Sequence, residues 1–459
     1  MPSLLDQAIA FHARGVLSEA EPLYRQVLVA DPDNPVVLIN WAHTLNGLRR
    51  FEPALAAYDR ALALDPSQAF LDLIRGDVLQ WLLRYGEAVE AYDRFLDQEP
   101  DLAEAWNSRG LALQGAGKLD EALQSYRRAE DLNPDFAPAH LNRGLCHLLM
   151  QDFAAGLPLY EWRKRMPQPM EARHYPQPLW TGAEDIRGRI LFAYVEQGLG
   201  DAVQFYRYVS FALARGANVI LSVPDPLVAL LKNATPPVEV IGWGQAPARF
   251  DFHIPLASIP LAVGMRADTI PAPDHYLTAE PDLLARWKSR LGSHGYRIGI
   301  AWQGLELIRG LEGKSFPVAA LAKIAALPDV RLISLQKGDG TGQLDHLPAS
   351  MAVETHAFDE GSDAFLDTAA IMRACDLVIS ADTAPAHLAG ALGVPTWVAL
   401  KHVPDWRWFL GRDDSPWYPS FRLFRQSAAG DWDSVFEAMA RDLISHRLGR
   451  RPARDPSRE

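Results

Sequence analysis

Cysteine is scarce in this chain, with Cys146 and Cys375 the only two in 459 residues. They lie far apart, with no CxxC spacing and no Cys/His spacing, so neither a disulfide scaffold nor a zinc site is indicated and a reducing compartment fits. Basic residues are outnumbered too: 45 Lys and Arg stand against 57 Asp and Glu, a formal net charge of −12. General nucleic-acid binding is disfavoured, because it needs a basic field to displace counterions from phosphates, and only a local basic patch stays open. Long apolar runs of about 18 residues are lacking, and the opening MPSLLDQAIAFHARG has no charged stretch followed by an apolar one. A soluble, cytoplasmic protein without a membrane span is expected. What the chain does have is an ordinary globular composition, 48% hydrophobic and 22% charged, over a length that predicts two or three domains.

Its first third repeats. Tyr24, Tyr58, Tyr92, Tyr126 and Tyr160 recur every 34 residues, and Pro32, Pro66, Pro100 and Pro134 keep the same interval. Ala20, Ala54, Ala88, Ala122 and Gly156 form a small-residue column, as do Ala8, Ala42, Gly76, Gly110 and Gly144; Leu17, Phe51, Tyr85, Leu119 and Phe153 form a large apolar one. Small residues where two helices cross, aromatics filling the gap beyond and proline closing each second helix define stacked helical hairpins. The pattern resembles the tetratricopeptide repeat over roughly residues 1–165, with a degraded fifth copy in which Gln168 replaces proline. Such an α-solenoid offers a concave surface for a protein or peptide partner, with Asn40, Asn107 and Asn142 as candidate backbone contacts; a scaffold or dimerisation arm is the alternative.

Residues 166–185 are a proline-rich linker, read as a semi-rigid connector. After it RILFAYV reads as a buried strand, EQGLGD as a glycine loop, AVQFYRYVSFALARG as a helix closed by Gly216, and NVILSV as the next strand. This first α/β half covers residues 186–275. Gly198 and Gly200 permit a sharp turn and close approach of a ligand, and Asp201 lies just before the helix. It is either an N-cap that accepts the helix's own N–H groups or a base projecting into a cleft at the strand's carboxyl end. Glu196 is the second carboxylate of that loop.

The second α/β half, residues 276–445, collects polar groups after successive strands: Gln303, Gly304, Arg309 and Lys314, then Gln336 and Lys337, then Asp382 and Thr383. Backbone donors with a few cations are what a phosphate-bearing ligand needs. Residues 377–400, LVISADTAPAHLAGALGVPTWVAL, read as strand, loop, helix and strand, with Asp382, Thr383 and Ala384 at a helix start that favours anions. Thr383 and His387 share a helix face; His387 is a ligand contact or a satisfied buried histidine. In PDWRWFLGRDDSPWYPSFRLFRQ most aromatics are expected to pack an irregular loop, while Trp406 and Arg407 stay candidates for stacking and phosphate contact, with Arg412 the other arginine considered. Residues 446–459 form a disordered basic tail.

EQGLGDAVQFYRY, GIAWQG, KSFP and SADTAPAHLAGALGVPTWV together resemble bacterial glycosyltransferases of the heptosyltransferase type, over roughly residues 186–445. The pairing with repeats resembles the architecture of O-linked N-acetylglucosamine transferases. The resemblance implies a GT-B fold of two Rossmann-like halves, a nucleotide-sugar donor held mainly by the second half, no catalytic metal and no cofactor. It implies that Asp201 is the general base, that Lys314 neutralises donor phosphate, and that Asp382, Thr383, Ala384 and His387 form the Asp-Thr-(Gly/Ala)-x-x-His donor motif. Phe316 stands where the family usually has tryptophan, and residues 305–313 depart from the loop of repeat-linked relatives. The expected activity is an inverting transfer to an acceptor hydroxyl on a protein such as flagellin. The alternatives are a non-catalytic scaffold and transfer to a lipid or oligosaccharide.

Overall fold

The computed structural model of the chain describes residues 2–166, 173–304 and 312–449. It divides into two compact units, Met1–Cys146 and His147–Glu459.

The first unit is a stack of helical hairpins: Leu4–Ala13 with Leu17–Ala30, Pro35–Gly47 with Phe51–Leu64, Ala69–Trp81 with Tyr85–Gln98, and Ala103–Gly115 with Leu119–Leu132. The small-residue columns explain the close crossings. A Cβ on Gly76 would sit 2.6 Å from the ring of Tyr92, and one on Gly110 would sit 2.4 Å from that of Tyr126. Tyr24, Tyr58, Tyr92 and Tyr126 are all fully buried, as are Ala20, Ala54, Ala88 and Ala122. Within each hairpin the turn needs one left-handed residue, at Gly15, Arg49, Leu83 and Gly117, which are again 34 positions apart. Asn142 donates to Asn107 at 2.9 Å, so these two candidate contacts satisfy one another.

The second unit contains two parallel sheets. Strands β1 (Ile190–Tyr194), β2 (Asn218–Val223), β3 (Glu239–Gly242) and β4 (Phe252–Pro255) form the first, in the order β3-β2-β1-β4. Strands β5 (Tyr296–Ala301), β6 (Val330–Ser334), β7 (Val353–Glu354), β8 (Leu377–Ala381), β9 (Thr396–Leu400) and β10 (Phe421–Arg425) form the second, in the order β10-β9-β8-β5-β6-β7. Every pairing between these strands is parallel, and the isolated bridge of Asp414 to Arg422 is antiparallel. All five residues of β8 and of β9 are buried, as helix-covered parallel strands require. Trp302, Phe316, Ile379, Phe436 and Met439 lie in the core of this sheet, the last two from helix Trp432–Gly449. No helix among the described residues is long and apolar enough to cross a membrane.

Five expectations are corrected. The units divide at Cys146 and His147 rather than at 165, because helix Phe153–Tyr160 and the turn after it bond to the α/β unit: Tyr160 donates to Gln197, and Arg163 to Glu196 and Ser258. The described part of the linker is built into the first sheet, with Leu179 bridged to His253 and Trp180 buried. The expected helix over 202–216 is two short helices, Leu199–Phe205 and Val209–Ala214, joined by a tighter turn that aims Tyr206 at the carbonyl of Pro236 and Arg207 at that of Pro271. Part of the expected irregular loop near 421 is strand β10. The tail expected from residue 446 begins later, since helix Trp432–Gly449 takes in 446–449, and residues 450–459 lie outside the described residues.

Candidate functional site

A cavity of about 730 Å³ opens at the carboxyl ends of strands from both sheets, where parallel α/β units place ligands. Its walls are residues 198–201 after β1, Gln303, Gly304 and Lys314 after β5, Gln336 and Lys337 after β6, residues 382–385 and His387 after β8, and Asp405 and Arg407 after β9. The two halves touch where helix Leu199–Phe205 packs on helix Ala384–Ala391. The approach is close: a Cβ on Gly200 would lie 3.2 Å from the Cα of Ala384 and 3.1 Å from the ring of His387, so a side chain there has to push the second helix back by a few tenths of an ångström. Gly304 is equally confined, since its Cβ would meet Thr383 Cγ2 at 2.5 Å.

Asp201 is the third residue of its helix rather than the one before it. Its Oδ2 accepts the N–H of Gly198 at 3.2 Å, and its Oδ1 accepts Nη2 of Arg407 at 2.5 Å. Burial drives the Asp201 carboxyl above its usual range, and Arg407 opposes that shift. Arg407 is 8% exposed; its Nη1 donates to Asp405 at 2.9 Å and its Nε to Gln204. Asp382 is pushed up to about 6, first by burial and then by the charge of Asp405, with Lys314 acting the other way.

His387 is buried, stacked on Trp408 with ring centroids 5.6 Å apart, and its Nδ1 is 3.1 Å from the hydroxyl of Tyr418. Burial holds it neutral, well below its ordinary pKa. It is packed in the core, as the buried-histidine expectation has it, and it also lines the cavity. Gln336 is a clamp: its Oε1 accepts the N–H groups of Trp302 and Gln303 at 3.0 and 3.1 Å, fixing the turn after β5. Lys337 donates to the carbonyls of Phe358 and Asp359 while it lines the cavity. Thr383 is the N-cap of helix Ala384–Ala391, whose first residues line the cavity; Pro385 has no N–H and the Ala386 N–H donates to the Thr383 carbonyl at 3.0 Å, which leaves the Ala384 N–H as the donor of that turn.

Two candidates sit elsewhere. Glu196 is not a lining residue; it is 8% exposed and held by two bonds from Arg163, at 3.0 and 2.7 Å. Trp406 packs edge-on against Phe153, at 6.3 Å between centroids, and against Trp417, and it also stays off the cavity wall. Arg412 pairs with Asp414. Arg309 lies outside the described residues, as does most of the atypical loop 305–313.

The sequence reading did not single out Asp405, Gln204 or the segment 359–365. Asp405 carried a signal, an acid two residues before Arg407 in PDWRW. The segment, DEGSDAF, has turn composition, with Phe365 at φ 70°; the Ala364 N–H donates to the Pro226 carbonyl at 2.8 Å, tying the two halves together at the cavity. Among the described residues no group of three or more His, Cys, Asp or Glu side chains is placed to hold a metal ion.

Residues 103–136 match the Tetratricopeptide repeat family, and the first unit is a helical-repeat scaffold of the kind that binds proteins. Protein FlbA of Caulobacter vibrioides is 29% identical over 291 residues, covering 58% of this chain and 48% of that protein, so the chain spans about half the length of this curated relative. Among solved structures, MamA 41-end from Desulfovibrio magneticus RS-1 is 20% identical with a TM-score of 0.34, covering 36% of this chain and 95% of its own. YrrB, described as a TPR protein with an unusual peptide-binding site, is 20% identical with a TM-score of 0.33, covering 36% of this chain and 84% of its own.

Proposed function

We propose that the α/β unit is a glycosyltransferase of GT-B type that moves a sugar from a nucleotide-activated donor to an acceptor hydroxyl. One observation carries this reading: a carboxylate at a helix start in the first half, Asp201, shares a cavity with Lys314, Asp382 and the helix start at Thr383 in the second. In the reaction Asp201 takes the proton from the acceptor hydroxyl, whose oxygen attacks the anomeric carbon. The bond from that carbon to the donor phosphate breaks, and its electron pair leaves with the nucleoside diphosphate, giving inversion. Lys314, the N–H of Ala384 and the positive end of that helix stabilise the charge that develops on the phosphate. His387 and Gln336 hold the walls in place. Lys337, already bonded to two carbonyls, adds positive potential more than a direct contact.

The repeats recruit the acceptor. A protein such as an appendage subunit suits a repeat surface better than a lipid does, and free cysteines at 146 and 375 suit modification in the cytoplasm before export. The test is intact-mass analysis of candidate acceptor proteins incubated with the full chain and a panel of nucleotide sugars. The expected result is a sugar-sized mass increase that Asp201→Asn reduces by about 10²–10⁴-fold. Absence of any mass increase, with no nucleotide sugar bound in calorimetry, overturns the reading in favour of a binding scaffold.

A further inference from the structure

Arg407 is tied to three acceptors of different kinds. Asp405 is its neighbour in the same turn and holds Nη1; Gln204, fully buried, holds Nε; Asp201 holds Nη2 from the other half of the unit. Only the Nη2 bond engages the residue assigned as base. That bond has a chemical cost, because a carboxylate joined to a guanidinium is a poor proton acceptor. Arg407, Lys314 and Thr383 line the same cavity, so a diphosphate seated at Lys314 and Thr383 competes with Asp201 for the same N–H group.

We propose that Arg407 is shared between base and donor: a donor diphosphate draws Nη2 of Arg407 away from Asp201, and Asp201 becomes an effective base only once the donor is bound. The inference rests on the transferase reading. Because the guanidinium is planar and rigid, turning Nη2 toward the donor also strains the Nη1 bond to Asp405 and the Nε bond to Gln204, and these pull the arginine back to Asp201 when the donor leaves. Such coupling protects the donor, since no base is ready in its absence. The groups that face Asp201 set its proton affinity: Arg407, Asp405 and Lys314 from the second half, the N–H of Gly198 from its own loop, Tyr160 from the preceding helix, and His387 across Gly200, kept neutral by burial. With Arg407 withdrawn, burial and Asp405 both raise the proton affinity of Asp201, so donor binding is accompanied by proton uptake at Asp201 in the acid range where it titrates, while above that range the freed carboxylate stays ionised and is the stronger base.

The experiment uses the full chain and three probes, UDP-glucose, GDP-mannose and ADP-glucose, whose sugar diphosphates carry no titrating proton near about pH 6. Binding is measured by calorimetry near that pH in buffers of different ionisation enthalpy, which reports protons taken up per donor bound. The expected result is uptake that persists in Asp382→Asn but shrinks in Asp201→Asn, and binding weakened about tenfold or more in Arg407→Lys, which cannot reach all three partners. If Asp201→Asn fails to fold, Arg407→Lys decides the matter through its own loss of uptake. Binding with uptake that is unchanged in Asp201→Asn and in Arg407→Lys overturns the shared arginine and leaves the transferase reading standing. Binding of none of the three overturns both.

Discussion

Two arginine–carboxylate pairs flank one loop, one closed in the core and one open to the cavity. Glu196 and Asp201 are five positions apart, each with an arginine partner within 2.7 Å. The Glu196 side chain is 10% exposed and that of Arg163 5%. Arg163 also bonds Glu161 and Ser258 and sits 4.5 Å over the ring of Tyr160. That pair is closed on all sides. The Asp201 side chain is 27% exposed and opens onto the cavity with Arg407. The difference teaches that an ion pair reveals little by its bond lengths; access to a cavity separates a closed pair from one that a ligand can reach.

Breaking the closed pair has the largest expected effect. Arg163→Met leaves Glu196 and Glu161 without their shared cation, and a loss of about 3–5 kcal/mol is expected in thermal or denaturant unfolding of the α/β unit. Adding Glu196→Gln to it restores part of that loss, because the uncompensated charge is gone. In contrast, Glu196→Gln alone leaves the affinity for nucleotide sugars unchanged, a result that sharpens the comparison; loss of donor binding would place Glu196 back in the site.

Next in size is the seam between the halves. Gly200→Ala must push against the backbone of Ala384, and a cost of about 1–3 kcal/mol is expected in unfolding, with donor affinity reduced because Asp201 moves with its helix. Gly198→Ala serves as the control. Its Cβ would meet Asp201 Oδ2 at 3.5 Å, an ordinary contact, so stability and donor binding stay near those of the natural chain. Equal losses in both variants would show that the loop, rather than the close approach of the two helices, sets the geometry.

What could be read without coordinates follows the same division. The repeat columns were legible because each hairpin repeats one contact, so Tyr58 against Ala42 predicts Tyr92 against Gly76. The left-handed column escaped notice because Gly15 and Gly117 share it with Arg49 and Leu83, which tolerate the conformation at a cost of about 1–2 kcal/mol. In the α/β unit, strand ends and glycine turns picked out Gly200, Gly304 and Thr383, which line the cavity. Partners distant in sequence could not be read: Arg407 lies 206 positions from Asp201 and 203 from Gln204. Strand β10 was hidden because FRLFR sits among tryptophans and prolines that suggest an irregular loop. The split of 202–216 was hidden because an amphipathic pattern does not record where Tyr206 and Arg207 find their carbonyls.

Asp382 gives the smallest effect and the cleanest sign. Its carboxyl stands at about 6 in the folded chain against an ordinary value of 3.8. Between those values the folded protein binds a proton that the unfolded chain does not, so stability is greatest below the unfolded value and falls as pH rises through 6. An arginine-paired carboxylate with a depressed value would behave in the reverse way. Asp382→Asn removes the charge, and it is expected to raise the stability of the α/β unit by roughly 1–2 kcal/mol near neutral pH, the gain shrinking as pH falls below about 6. Unfolding curves for both proteins across that range check it. A gain that stays constant with pH would mean that the asparagine acts through packing, and the open side of the cavity would then lose its claim to carry an uncompensated charge.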